Sequence, residues 1–369
     1  MNFPRCVDIF CRVIDNFGDV GVCWRLARQL AVEDELAVRL FIDDPSSLTK
    51  IVPIPDPSVN VVVWDNALVY GEAADLVIEA FACDLPEQVL SVMKNRSIPP
   101  IWIDLEYLTA EDWALSCHAV PSLHPMMGVK KTLFFPGFDV TSGGLLREHD
   151  LIERRDLFQN DIVAQNKWRK CYNLPEFDSN CIDLSLFCYK SAPIEQIFDE
   201  LSTYTCPVRV FHPVVSGFGV KKRGSLMIYR IPFVSQDQYD YLLWTCTANF
   251  VRGEDSFVRA QMAGRPMIWN IYVQEKGTHL VKMRAFLDLY LASFPLPLRE
   301  VLAQSFELWN QEDQICEGVW KKFLDHLPKL DRQAQIWSDR LCCQSPLTVR
   351  LLEFYQNTKN NVLIKKDKL

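Results

Sequence analysis

Val7-Asp8-Ile9-Phe10-Cys11-Arg12-Val13-Ile14, then Asp15-Asn16-Phe17-Gly18-Asp19, then a run from Val20 to Val32 form the most informative stretch of the chain. The first segment is apolar and rich in β-formers, which predicts a strand. The second is a turn signal. In the third, Val22, Leu26, Ala27 and Leu30 share one helical face, while Arg25, Arg28 and Gln29 are expected to look outward. Strand, glycine turn and helix make the opening of a βα unit.

The alternation continues on both sides of the middle of the chain. Strands are expected at Ala37 to Ile42, Val59 to Trp64, Leu76 to Phe81 and Pro100 to Leu105, with a helix from Pro86 to Lys94. Short apolar strands separated by helices indicate a mostly parallel sheet buried on both faces. Residues 118–150 are rich in Pro and Gly and read as long ordered loops. Residues 151–180 are polar and charged and are taken to hold the domain boundary.

A second alternation follows. Strands are expected at Ile182 to Tyr189, Val208 to Phe211, Leu226 to Ile231, Ala248 to Val251 and Pro266 to Asn270. Helices are expected at Pro193 to Leu201, Gln236 to Thr245 and Asp255 to Ala263, and the pattern is helical after Thr278. The expected organisation is an N-terminal Rossmann-like domain over 1–165 and a second over 180–346. The amphipathic helix in 347–369 is expected to return to the first domain. The fold class is α/β. Two Rossmann-like domains facing across a cleft is the glycosyltransferase-B arrangement, which unrelated enzymes share, so fold alone does not give function.

The 369 residues are 49% hydrophobic, enough for two cores, and include 10 Trp, 11 Tyr and 22 Phe. The formal charge of −8 argues against nucleic-acid binding. The densest basic run, Lys221-Lys222-Arg223, is expected to be a solvated loop. No apolar stretch approaches the roughly 18–20 residues of a membrane span. The 13 cysteines contain no CxxC pair, and many lie in apolar runs, which points to free thiols in a reducing cytoplasm. Met1 to Pro4 lead almost directly into a strand, so no targeting segment is expected.

Two constellations carry chemistry. Asp15 and Asp19 bracket a glycine turn at the carboxyl end of the first strand, where open α/β sheets place ligands. A positive φ at Gly18 would let both carboxylates point into one crevice. The plainer reading is that Asp19 caps a helix beginning at Val20. The second is Arg252-Gly253-Glu254-Asp255-Ser256, which follows a strand and opens a helix. Backbone N–H groups and the Ser256 hydroxyl there suit a pyrophosphate. Glu254 either accepts a bond from a sugar or ribose hydroxyl or, with Asp255, simply stabilises the first helical turn.

Aromatic rings gather at the strand ends of the second half: Phe187, Tyr189, Phe233 and Tyr272. They can hold a nucleobase, with Gln236 bonding its edge, or they can be core. Ile103 to Tyr107 can line an acceptor side. His124, and the turn Ser142-Gly143-Gly144, are open between structural and functional roles. No set of residues matches a Ser-His-Asp triad, a P-loop or a zinc site.

Asp15-Asn16-Phe17-Gly18-Asp19-Val20-Gly21-Val22-Cys23-Trp24-Arg25-Leu26-Ala27 resembles the opening of the EarP protein-arginine rhamnosyltransferases. Arg252-Gly253-Glu254-Asp255-Ser256, followed by Gly264-Arg265-Pro266, resembles their donor-site motif. The resemblance extends over essentially the whole chain. It implies a glycosyltransferase-B fold, a dTDP-β-L-rhamnose donor and, as acceptor, one arginine of elongation factor P, transferred with inversion. That modification helps ribosomes through consecutive prolines. It implies Asp19 as general base, Asp15 as a supporting acid and Glu254 as a third essential carboxylate. Asp255 and Ser256 would hold the pyrophosphate, with Arg252 beside it, and Phe187, Tyr189, Phe233, Gln236 and Tyr272 would surround the nucleotide. No metal or other cofactor is expected.

A guanidinium is a poor nucleophile, protonated and delocalised. On the implied chemistry Asp15 holds it and Asp19 takes its proton as attack proceeds. Two other readings of the residues stand beside this one. The first is a nucleotide-sugar epimerase or a glycosyltransferase with a small-molecule acceptor. The second is a nucleotide-sensing module, which would tolerate loss of both Asp15 and Asp19.

Overall fold

The structure is a computed structural model that describes residues 3–15, 17–65, 68–124, 129–311 and 317–366. Asn16, within the first motif quoted above, and residues 367–369, within the stretch expected to hold the C-terminal helix, lie outside the described residues. The chain divides into two compact units, Met1–His149 with Gln344–Leu369, and Asp150–Cys343.

The first unit runs β1 (Cys6–Cys11), α1 (Gly18–Val32), β2 (Ala37–Ile42), α2 (Pro45–Ile51), β3 (Val59–Val63), β4 (Leu76–Ala80), α3 (Glu87–Asn95), β5 (Ile101–Leu105), α4 (Asp112–Cys117), β6 (Pro121–Leu123) and β7 (Lys130–Phe134). The sheet order is β3-β2-β1-β4-β5-β7-β6. Every pairing is parallel except β6 with β7. β4 is buried along its whole length, which is why it reads as an apolar run. Behind β1, Phe10 stacks on Phe41 at 4.4 Å, and Trp64 and Tyr70 pack edge-on to Phe10.

Two expectations change here. Residues 118–150 are not only loop, because β7 is a full parallel member of the sheet. Its basic start and the Pro/Gly-rich flanks hide it. On α1, Arg25 and Gln29 do not look outward; both are 4% exposed. Arg25 pairs with Glu148 at 3.2 Å, and Gln29 donates to the Arg147 carbonyl at 2.7 Å, so the segment before residue 150 covers that face.

The second unit runs α5 (Leu151–Gln159), α6 (Ile162–Cys171), β8 (Ile182–Leu186), α7 (Ile194–Ser202), β9 (Val208–Val214), β10 (Gly219–Arg223), β11 (Leu226–Pro232), α8 (Gln236–Thr245), β12 (Ala248–Arg252), α9 (Asp255–Met262), β13 (Met267–Asn270), α10 (Thr278–Tyr290), α11 (Leu296–Trp309), α12 (Val319–Asp325) and α13 (Leu327–Cys342). Its sheet order is β10-β11-β9-β8-β12-β13. The last helix, α14 (Leu347–Lys366), belongs to the first unit.

The division between units falls at 149/150 rather than after 165. The polar stretch expected to be a boundary is α5 and α6, and charged side chains fix them to the second unit. Arg155, 2% exposed, donates to the Met262 carbonyl and to Ser338, each at 2.8 Å. Arg169 and Arg209 share the Asp183 carboxylate at 2.7 and 2.5 Å. Buried charges persist only with partners of this kind, so polarity here marks tethering rather than solvent. Lys221-Lys222-Arg223 is not a loop either: it forms most of the exposed edge strand β10, antiparallel to β11, where lysines discourage further strand pairing.

Candidate active site

In the first sheet the strand order reverses between β1 and β4. Ligands of open α/β sheets gather beyond the carboxyl ends of the strands at such a point. The connection from β1 into α1 lies there, with Asp15 in the loop and Asp19 in the first turn of the helix. The helix starts at Gly18, with Phe17 as N-cap and no side-chain cap. Asp19 therefore sits inside the first turn and does not cap a helix starting at Val20. Its carboxylate turns back instead. Oδ2 accepts the N–H groups of Ile14 and Asp15, each at 2.8 Å. Oδ1 accepts from the Tyr107 hydroxyl at 3.2 Å.

Asp19 is 2% exposed, and burial pushes its carboxyl above the usual carboxylate range. The Asp15 and Ile14 N–H groups and the Tyr107 hydroxyl oppose that shift. The result is an ionisable acid with raised proton affinity, held in one orientation, beside a half-buried Asp15. Gly18 does not adopt the positive φ expected of it. It is needed for space: a Cβ there would lie 2.6 Å from Asp15 Oδ2.

The second sheet reverses between β8 and β12. The Arg252 guanidinium lies 4.3 Å from the Phe187 ring centre and 4.8 Å from that of Tyr189. It also donates to the Cys188 carbonyl at 3.4 Å. Each cation–π contact contributes about 0.5–2 kcal/mol, so the guanidinium is fixed at the strand ends. Phe233 and Tyr239 pack on Phe187 at 5.8 and 5.7 Å, and Tyr272 packs on Tyr189 at 5.6 Å. Tyr272 is 43% exposed, unlike core aromatic residues.

Gly253 makes the turn that Gly18 does not, at φ 63°, a left-handed position that favours glycine. Glu254 is the N-cap of α9, without a side-chain cap bond. Ser256 donates to the Arg252 carbonyl and accepts its N–H at 3.2 Å, closing the turn. Gln236 donates to Asp255 Oδ2 at 2.8 Å. The structure thus gathers Arg252, Phe187, Tyr189, Phe233 and Tyr272 in one cluster, with Gln236, Asp255 and Ser256 at the adjoining helix ends.

Three supporting contacts escaped the sequence reading. The Trp269 indole donates to the Gly253 carbonyl at 2.8 Å, and Asn270 Oδ1 accepts the Tyr189 N–H at 2.8 Å. The available signal was an Asn ending an otherwise apolar strand. The third is Tyr107 as a partner of Asp19. Ser142-Gly143-Gly144 is a turn: Ser142 bonds the Asp139 carbonyl, and Gly143 N–H the Phe135 carbonyl. His124 packs against Trp102 at 5.9 Å. Among the described residues no group of three or more His, Cys, Asp or Glu is placed to hold a metal ion, and no helix is long and apolar enough to cross a membrane. The twelve described cysteines are free.

Two Rossmann-like sheets, each with a polar constellation at the point where strand order reverses, make the glycosyltransferase-B fold. The same fold occurs in the solved spinosyn rhamnosyltransferase SpnG, at a TM-score of 0.55 over 96% of this chain and 100% of that one, with only 9% identity. The particular family follows from sequence. The profile described as Elongation-Factor P (EF-P) rhamnosyltransferase EarP matches residues 7–356, and the chain belongs to that family. The protein-arginine rhamnosyltransferase of Pseudomonas aeruginosa is 42% identical over 94% of this chain and 98% of its own length. A structure reported as the structural basis for EarP-mediated arginine glycosylation of translation elongation factor EF-P superposes at a TM-score of 0.70. It is 32% identical over 95% of this chain and 99% of that one. The chain is accordingly an enzyme, a protein-arginine rhamnosyltransferase.

Proposed function

We propose that the enzyme transfers L-rhamnose, with inversion, from dTDP-β-L-rhamnose to one arginine of translation elongation factor P, and so supports translation through consecutive prolines. Family membership supports the acceptor. The observation that carries the chemistry is the buried Asp19 carboxylate, oriented by two N–H groups and one hydroxyl and raised in proton affinity.

In this reading Asp15 hydrogen-bonds the guanidinium and localises its charge. One guanidinium nitrogen attacks the anomeric carbon while its proton passes to Asp19, and the carbon–oxygen bond to dTDP breaks with its electron pair. A carboxylate is too weak a base to deprotonate free arginine beforehand, so the two events are concerted. Asp19 Oδ2 already accepts two N–H bonds, which leaves Oδ1 as the oxygen that receives the proton.

The second unit holds the donor. Phe187, Tyr189, Phe233, Gln236 and Tyr272 surround the nucleotide. Asp255 and Ser256 hold the diphosphate at the start of α9, and the Ser256 hydroxyl, the backbone N–H groups of that turn and Arg252 stabilise the charge it gains on leaving. Ser256 must give up its bond to the Arg252 carbonyl to do so. Glu254 accepts a sugar hydroxyl. No metal or organic cofactor takes part, and the reaction occurs in the cytoplasm on a soluble protein, with neither nucleic acid nor membrane as partner.

Intact-mass analysis of elongation factor P after incubation with enzyme and dTDP-rhamnose tests this. One added deoxyhexose, lost when the acceptor arginine is replaced by lysine, is expected. Consumption of dTDP-rhamnose with no mass added to the protein would point to a small-molecule acceptor or an epimerase instead.

A further inference from the structure

The segment after β4 is strained. Phe81, Ala82 and Asp84 have φ of 58°, 50° and 55°, three left-handed residues in four, none of them glycine. Such a conformation persists only where the surroundings impose it. Here they do: Phe81 N–H bonds the Leu105 carbonyl at 2.7 Å, and Asp84 N–H bonds Glu79 Oε1 at 3.1 Å. What the strained turn presents is the Phe81 ring, stacked on Tyr107 at 4.3 Å and 15°. Tyr107 in turn donates to Asp19 Oδ1.

We infer that Tyr107, braced by Phe81, is a positioning residue for Asp19, fixing the carboxylate plane and one lone pair of the oxygen that receives the proton. The inference rests on the reading of Asp19 as base. The stack joins the carboxyl ends of β4 and β5, since Phe81 follows β4 and Tyr107 follows β5, and the Tyr107 bond to Asp19 carries it across to the β1 side of the strand reversal. Among the described residues the backbone N–H groups of the β1–α1 loop hold Oδ2, and Tyr107 is the group that bonds Oδ1. The other titratable groups facing Asp19 are Asp43 after β2, Cys23 in α1 and Asp15 in its own loop. Neither Asp43 nor Cys23 donates a hydrogen bond to it among the bonds described.

Tyr107→Phe keeps the ring and the stack and deletes only the donor. A bond to the ionised form favours that form, so its loss raises the proton affinity of Asp19. The acid limb of the pH–rate profile is expected to move up by about half to one pH unit, with the maximal rate down about three- to tenfold and dTDP affinity unchanged. Phe81→Leu should act in the same direction, and Phe81→Trp, which restores a stacking ring, should return the profile towards wild type. Carbon-13 carboxylate titration of the unliganded protein, with Asp19→Asn identifying the resonance, reads the shift without turnover. An unmoved Asp19 titration and acid limb in Tyr107→Phe, with Asp19→Asn inert, would overturn the positioning role and leave the base reading standing. An active Asp19→Asn enzyme would remove the base reading itself.

Discussion

The two sheets share one plan: a first strand flanked by its crossover neighbours, a reversal of order beside it, and a loop into a helix at the reversal. Yet the two reversal points are chemically opposite. The first gathers acids, Asp15 and Asp19, and holds the deeper one by backbone N–H groups. The second gathers a cation and aromatic rings, Arg252 over Phe187 and Tyr189. The glycines differ as well. Gly253 is there for its backbone angle, and Gly18 for the space that Asp15 needs. A common backbone thus offers a position, and on the proposed reading the few residues in the connecting loop decide whether it receives a cationic acceptor or an anionic donor.

That contrast can be broken from either side. Asp15→Asn should lower transfer about a hundredfold, mostly through weaker holding of the acceptor, while titration calorimetry with dTDP finds normal affinity. Arg252→Lys keeps the charge but loses the planar stack. It should weaken dTDP about tenfold and leave binding of elongation factor P unchanged; a loss confined to the acceptor would reverse the assignment of the two sites.

A third test concerns stability beneath the acidic site. Burial, and then Asp104, raise the Glu79 carboxyl from 4.5 to about 7. The folded protein therefore binds that proton more tightly than the unfolded chain. Stability is favoured below the unfolded value and falls as pH rises through 7. Glu79→Gln should stabilise the protein at pH 8 by about 1–3 kcal/mol and much less at pH 5, as read by denaturant titration. The smallest effect is expected at Gly253→Ala, where a left-handed residue gains a Cβ. Destabilisation of about 1 kcal/mol is predicted, while Gly18→Ala should instead displace the Asp15 carboxylate and lower transfer.

The central strands were legible because parallel strands buried on both faces must be apolar runs; β2 was read to the residue. What failed was polar sequence in buried places. Arg155 and Arg169 made α5 and α6 look like a linker, although each guanidinium is paired inside the second unit. β7 begins with lysines, and Lys131 is read correctly only once its ion pair with Asp104 at 2.6 Å is known. Of the site, both motifs were visible as residue types at strand ends. The distinction between Gly18 and Gly253 was not, since dihedral angle and steric room leave the same letter. Tyr107 was visible only as part of a strand end. Its bond to Asp19 joins residues 88 apart in sequence, a separation that periodicity cannot report.

The account stands on Asp19. The most direct measurement is transfer to elongation factor P by Asp19→Asn, followed by intact mass, with dTDP affinity determined on the same preparation. The prediction is wild-type affinity for dTDP and no added deoxyhexose. Rhamnosylation at the wild-type rate by that variant would contradict it.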